Sequence, residues 1–151
     1  MTEVISSQGD RRRWLAVLAR ADREALEAAL AAVQPAPAAE TVRRAEAGMV
    51  MVRARVGGTG NAFNFGEASV TRCAVRVGAA LGVGYTLGRD ARKSELIALF
   101  DALLQDDARR DGLLAAVVDP LEREQARQYE QESAQAASSR VEFFTMVRGE
   151  A

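Results

Sequence analysis

Arginine is the residue with the most chemistry to offer in this chain, and its placement is uneven. Residues 41–93 hold nine bases (Arg43, Arg44, Arg53, Arg55, Arg72, Arg76, Arg89, Arg92 and Lys93) against three acids (Glu46, Glu67 and Asp90). That is a local net of +6 inside a chain whose total is −1. Nineteen of the twenty basic residues are arginine, whose planar five-donor fork suits bidentate contact with phosphate or carboxylate. Arg53 and Arg55 alternate along MVMVRARV, and Arg72 and Arg76 along ASVTRCAVRV. If both runs are strands of one sheet, the four guanidinium groups fall on the face opposite the apolar one. Like charges at that density repel by about 1 kcal/mol per close pair even in water, so the face is expected to meet anions. Two readings are open. One is a solvated face neutralised by Glu46, Glu67 and the acidic helices, because exposed ion pairs are common and contribute little. The other is a surface for an anionic ligand or an acidic partner, with Arg89 as a further candidate.

Between the two runs lies GGTG (Gly57, Gly58, Thr59 and Gly60), which could fold backbone donors around a phosphate or simply close a tight loop where glycine tolerates positive φ. Neither GxxxxGK[ST] nor a helix-opening GxGxxG is present, so Walker and Rossmann phosphate sites are not supported. The chain has no histidine, which removes the imidazole base, the Ser-His and Cys-His pairs and the commonest zinc ligand. Cys73 is the one cysteine; it excludes an internal disulfide and, inside an apolar alternation, reads as a packed small hydrophobe. Acids are plentiful but scattered, and no two are placed by spacing as an acid and base couple. No catalytic residue and no metal site is nominated.

The elements that must carry these residues follow from periodicity. Residues 11–33 read as two helices, the second entered by Asp22 as N-cap, giving a helical hairpin over 1–33. Pro35 and Pro37 stop the second helix, and QPAPAAE reads as a linker. Alternation then predicts a half-buried strand through Val50, Val52, Ala54 and Val56, with Met51, Arg53 and Arg55 opposite. Residues 57–67 look too glycine-rich to continue a ladder. A second strand sets Thr71, Cys73, Val75 and Val77 against Arg72, Ala74 and Arg76, and a short one follows at Val83 to Leu87. Asp90 should cap a helix with a broad apolar stripe (Leu96, Ile97, Leu99, Phe100, Leu103, Leu104) that covers the sheet. LLAAVV reads as a short buried helix, and Asp119 before Pro120 as the N-cap of a long, polar one. That helix has few apolar anchors, Tyr129 among them, whereas RVEFFTMVRGEA is apolar and β-prone for a chain end. Tyr129, Phe143, Phe144, Met146 and Arg148 are therefore candidate subunit-interface residues.

The expected fold class is α+β: a mainly antiparallel sheet of about four or five strands, flanked by the N-terminal helical hairpin and C-terminal helices, as a single domain over 1–151. Its divisions are 1–33 hairpin, 41–88 sheet, 90–139 helices and 140–149 a C-terminal strand. Hydrophobic content of 48% with 27% charge is that of a globular chain. No stretch is long and apolar enough to span a bilayer and no secretory leader is evident, so a soluble, cytoplasmic protein is expected. Near-absence of lysine, the net charge and the few aromatics beside the arginines disfavour nucleic acid.

The runs VGGTGNAFNFGEASVTRCAVRV (56–77), VGYTLGRD (83–90) and SRVEFFTMVRGE (139–150), in this order and at these separations, resemble the G-subunit (PhnG) family of the bacterial carbon-phosphorus lyase system. The similarity extends to the Trp14 helix and RRAEAG at 43–48, and its most specific part is FFTMVRG. The resemblance implies a cytoplasmic core complex with H, I and J subunits, acting with the L protein in phosphonate catabolism. In it the G, H and I subunits with L displace adenine from ATP with a phosphonate, giving a ribose 1-phosphonate 5-triphosphate. ATP is thus a substrate of the complex, and no cofactor is expected on this chain. Radical cleavage belongs to the iron-sulfur J subunit; one cysteine here falls short of the four thiolates a cluster usually needs. The resemblance implies a required but non-catalytic subunit, with direct contact between the arginine face and the ATP triphosphate as the alternative.

Overall fold

The structure, a computed structural model, describes residues 2–138. Its elements in chain order are α1 (Thr2–Arg20), α2 (Arg23–Ala31), β1 (Glu40–Arg55), β2 (Ala62–Val77), β3 (Ala80–Leu87), α3 (Ala91–Leu104), α4 (Asp107–Leu113) and α5 (Asp119–Ser138). The α+β class and the antiparallel sheet are as expected. Among the described residues, however, the sheet has three strands in the order β1-β2-β3, fewer than the four or five expected. The β-prone residues are spent on length: β1 and β2 each run for 16 residues. The expected 140–149 strand lies outside the described residues.

Helix α3 is the centre of the molecule. Asp90 caps it, its carboxylate accepting from the Lys93 N–H at 2.9 Å. Leu96, Ile97, Phe100, Leu103 and Leu104 are essentially fully buried along it. They join Trp14, Val17 and Leu18 of α1, Leu26 of α2, and Val117 and Val118 in one apolar cluster. Its other side packs on β2 and β3 through small groups: Ala98 and Ala102 against Cys73 and Val75. The approach is so close that a Cβ on Gly82 or Gly84 would lie 1.9 Å from the carbonyl oxygen of Ala98 or Ser94. Glycine at both positions lets the helix rest on the strand backbone. Thr71, Cys73 and Val75 do face inward, as their alternation predicts.

Four local expectations change. Helix α1 starts at Thr2, not near residue 11, and α1 and α2 each pack on α3 rather than chiefly on one another as a hairpin. Asp22 holds the N-cap position of α2, but its side chain makes no capping hydrogen bond. The ladder resumes at Ala62, so the break after β1 is confined to a tight turn rather than extending over 57–67. Finally, Asp119 is no N-cap, because its backbone is helical and the chain runs from α4 into α5 through a π turn at Leu114–Val118. The wider turn accommodates Pro120, which lacks an N–H and crowds the carbonyl four residues back in a regular helix.

Helix α5 has no buried residue. Its first turns are held to α1 by Arg13, which pairs with Asp119 at 2.7 Å and with Glu122, and by Gln125, which donates to the Val17 carbonyl at 2.9 Å.

Candidate ligand and partner surfaces

Strand register decides which side each arginine occupies. Directly opposed residues share a face, and on β2 the face away from α3 carries Arg72, Ala74 and Arg76. Arg72 is opposite Glu46, and Arg76 opposite Glu40. Continuing along β1, Val50 opposes Ala68 and Val52 opposes Gly66 on this outer face, while Met51 opposes Glu67 on the inner one. The pairing then shifts, Val52 with Gly66 being followed by Arg53 with Asn64, so the extra residue, Phe65, belongs to β2. Alternation along β1 is therefore unbroken there, and Arg53 and Arg55 follow Met51 on the inner side. The shared four-arginine face expected from alternation does not form: Arg72 and Arg76 point one way, and Arg53 and Arg55 the other. Alternation within each strand was legible; the register between them was not.

On the outer face the arginines meet acids. Arg72 lies 3.6 Å from Glu46 and Arg76 3.7 Å from Glu40, and Arg43 donates to Glu46 at 3.2 Å. Arg43, and secondarily Arg72, hold the Glu46 carboxyl below the usual carboxylate range. Glu46 thus acts as the neutralising acid the sequence offered, with Glu40 beside it; Glu67 lies on the inner side. Around these pairs the outer face exposes Leu81, Tyr85 and Leu87 of β3.

Past Val70, the partner of Leu87 at the end of β3, the sheet has two strands among the described residues. The β1–β2 ribbon projects from there as an arm of about 25 Å, at about 3.3 Å per residue. Met49, Val50, Met51, Val52, Phe63 and Phe65 are all substantially exposed on it. This overturns the expectation of a half-buried strand: with β3 half the length of its neighbours, no element among the described residues covers either face. Phe63 and Phe65 contact edge to face with centroids 6.4 Å apart. Arg55 donates to the Gly60 carbonyl at 3.2 Å, and Arg53 has no partner among the described residues.

The tip is a closed turn. Gly57 and Gly58 take positive φ of 60° and 82°, and the N–H groups of Thr59 and Gly60 both point to the Val56 carbonyl. Arg89 is exposed just past Gly88, at the base of the arm, where the Gly88 N–H donates to Ser69 and the Thr71 hydroxyl to Gly88. The candidates therefore fall in separate places: Arg72 and Arg76 on the sheet face, Arg53 and Arg55 with the glycine turn toward the far end of the arm, and Arg89 at its base. Tyr129 is exposed beside a groove that Arg13, Ala16 and Arg20 line with Gln125 and Ala126. Phe143, Phe144, Met146 and Arg148 lie outside the described residues.

Two features were missed in the sequence. One is the exposed arm, whose signal was the mismatch between a short VGYTL strand and two long neighbours. The other is Asp101, fully buried on α3. Its carboxylate accepts from Arg11 at 3.1 and 2.7 Å, from the Trp14 indole at 2.9 Å and from the Val83 N–H at 2.9 Å. An acid inside the apolar stripe of α3 was the available clue. These bonds tie α1 and α3 to the free edge of β3, where Arg11 and Gln105 also donate to the Leu81 carbonyl. Burial pushes the Cys73 thiol up, as befits a packed side chain. No group of three or more metal-ligating side chains occurs among the described residues, and no helix there is long and apolar enough to cross a membrane.

Comparison with known proteins is specific. The family described as phosphonate metabolism protein PhnG matches residues 9–149. A Rhizobium meliloti (strain 1021) protein, alpha-D-ribose 1-methylphosphonate 5-triphosphate synthase subunit PhnG, is 42% identical over 144 residues, covering 93% of this chain and 90% of its own.

Proposed function

The chain belongs to the PhnG family of phosphonate metabolism proteins, and from that premise we propose that it is a required, non-catalytic subunit of a ribose 1-phosphonate 5-triphosphate synthase. With H, I and L proteins it serves the transfer of the ribose triphosphate of ATP to a phosphonate. A phosphonate oxygen bonds to the ribose anomeric carbon as the bond to adenine breaks, and adenine leaves with a proton. A J subunit, carrying the iron-sulfur cluster, completes the core complex.

The observation that carries this reading is the identity with the Rhizobium meliloti synthase subunit along nearly the whole chain. The local chemistry supports a structural part in it. The buried carboxylate Asp101 is committed to four protein donors, and Arg43, Arg72 and Arg76 to two acids. Direct contact of the arginines with the triphosphate is less favoured, since Arg53 and Arg55 lie across the sheet from Arg72 and Arg76.

Reconstitution tests the reading. The companion proteins with ATP and methylphosphonate should form ribose 1-methylphosphonate 5-triphosphate only when this chain is added, and the chain alone should form none. Full turnover without it, or turnover by the purified chain alone, overturns the proposal.

A further inference from the structure

Resting on the subunit reading, we propose that the arm formed by residues 49–68 is a docking element. It inserts into an apolar cleft of a companion subunit of the synthase, a cleft whose rim presents carboxylates to Arg53 and Arg55. A two-stranded ribbon is marginally stable in water by itself, yet this one extends beyond the last residue of β3 and carries exposed apolar groups on both sides. By register, Val50, Val52, Ala54 and Phe63 lie on its outer face, and Met49 and Met51 on its inner face. Phe65, the extra residue of the bulge, is 72% exposed. Contiguous apolar surface of this kind is the mark of an interaction site.

Charge selects the occupant. The inner face bears Arg53 and Arg55 against the single acid Glu67, and neither arginine has a carboxylate partner among the described residues. A second copy fits poorly: a two-fold contact sets the same patch against itself. Arm on arm through the inner faces opposes Arg53 and Arg55 to their own counterparts; through the outer faces, it leaves the arginines and Met51 bare. A cleft in a different polypeptide covers both faces at once and supplies the missing acids. The contrast with β3 is instructive. Its free edge is closed by Arg11, Asp101 and Gln105, the usual protection against stray strand pairing, while the arm is uncovered among the described residues.

The test measures binding of the full chain to the purified assembly of its companion subunits, alongside chain mass in solution and thermal melting. Two variants are compared with the wild type: R53E/R55E, and a chain in which residues 50–67 are replaced by an Asn-Gly turn. The wild type should bind. R53E/R55E should weaken binding at least about tenfold, as loss of interfacial charge pairs does, with an unchanged melt; the trimmed chain should lose more. Equal binding by R53E/R55E and by a folded trimmed chain overturns the arm proposal and leaves the subunit reading intact. If the trimmed chain does not fold, R53E/R55E alone decides, unchanged binding being the contrary result. A wild-type chain that neither binds the companions nor restores their activity removes the subunit reading itself. A wild-type dimer that trimming converts to monomer, with companion binding unaffected, makes a second copy the occupant and also overturns the proposal.

Discussion

At the residue scale, stability is concentrated in a few contacts around α3. Replacing Asp101 by alanine leaves the Arg11 guanidinium and the Trp14 indole N–H without that acceptor. Arg11 is part-exposed and keeps the Leu81 carbonyl, so the cost is that of stranding the Trp14 and Val83 N–H donors, about 1–3 kcal/mol each. D101A should lower the urea midpoint accordingly, and a loss below about 1 kcal/mol would contradict the assigned role. Gly84→Ala places a methyl 1.9 Å from the Ser94 carbonyl. It should destabilise by at least about 1–3 kcal/mol, the range for overpacking, and an unchanged melt would show that α3 does not rest on β3 as described. Acid should weaken the fold as well. Arg92, Arg43 and Arg13, respectively, hold Glu27, Glu46 and Glu122 below the usual carboxylate range. Because the folded values are the lower ones, their contribution is complete above the ordinary glutamate value near 4.5 and is lost as pH falls through the folded values. The melting temperature should therefore fall below about pH 4.5, and E122Q should flatten the part of that slope due to the α1–α5 pairing. A slope identical in E122Q would remove Arg13–Glu122 from the account.

At the element scale, the molecule divides into a body built on α3 and an arm that contributes nothing to the core. Substitutions should separate the two. Leu96→Ala in the body should cost about 2–5 kcal/mol. Val52→Glu on the arm should leave the isolated chain within about 0.5 kcal/mol of wild type. Comparable losses at both places would mean that the arm is covered by this chain itself. Periodicity made most of these elements legible. The apolar stripe of α3 with its Asp90 cap and the inward set Thr71, Cys73 and Val75 could be read directly, because each depends on neighbours a few residues apart. What could not be read depends on distant residues: the register that parts Arg53 from Arg72, the π turn that absorbs Pro120, and the bareness of Val50 and Val52. An alternating pattern states that two faces differ. It does not state that another element is long enough to cover one of them.

At the scale of the whole molecule, the polar groups fall into those already used within the chain and those left for a partner. Asp101, Glu46 and Glu40 neutralise the arginines around them, whereas Arg53 and Arg55 have no acid partner, and the apolar arm no cover, among the described residues. This distribution fits a protein that completes an assembly rather than one that holds a substrate by itself. It also explains why composition was informative about function classes but silent on geometry: a chain without histidine narrows the chemistry, while the segregated positive charge names a region and not a site. Whether the side chains of this protein serve architecture or the nucleotide is decided by an ATP titration of the reconstituted synthase containing wild-type or R72A chain, run beside size-exclusion chromatography. A structural Arg72, its charge taken up by Glu46, makes no contact with the nucleotide and predicts an apparent ATP affinity indistinguishable from wild type. A triphosphate contact would contribute about 1.5–3 kcal/mol, so a loss of tenfold or more with an unshifted elution peak would contradict the account and place Arg72 in the nucleotide site.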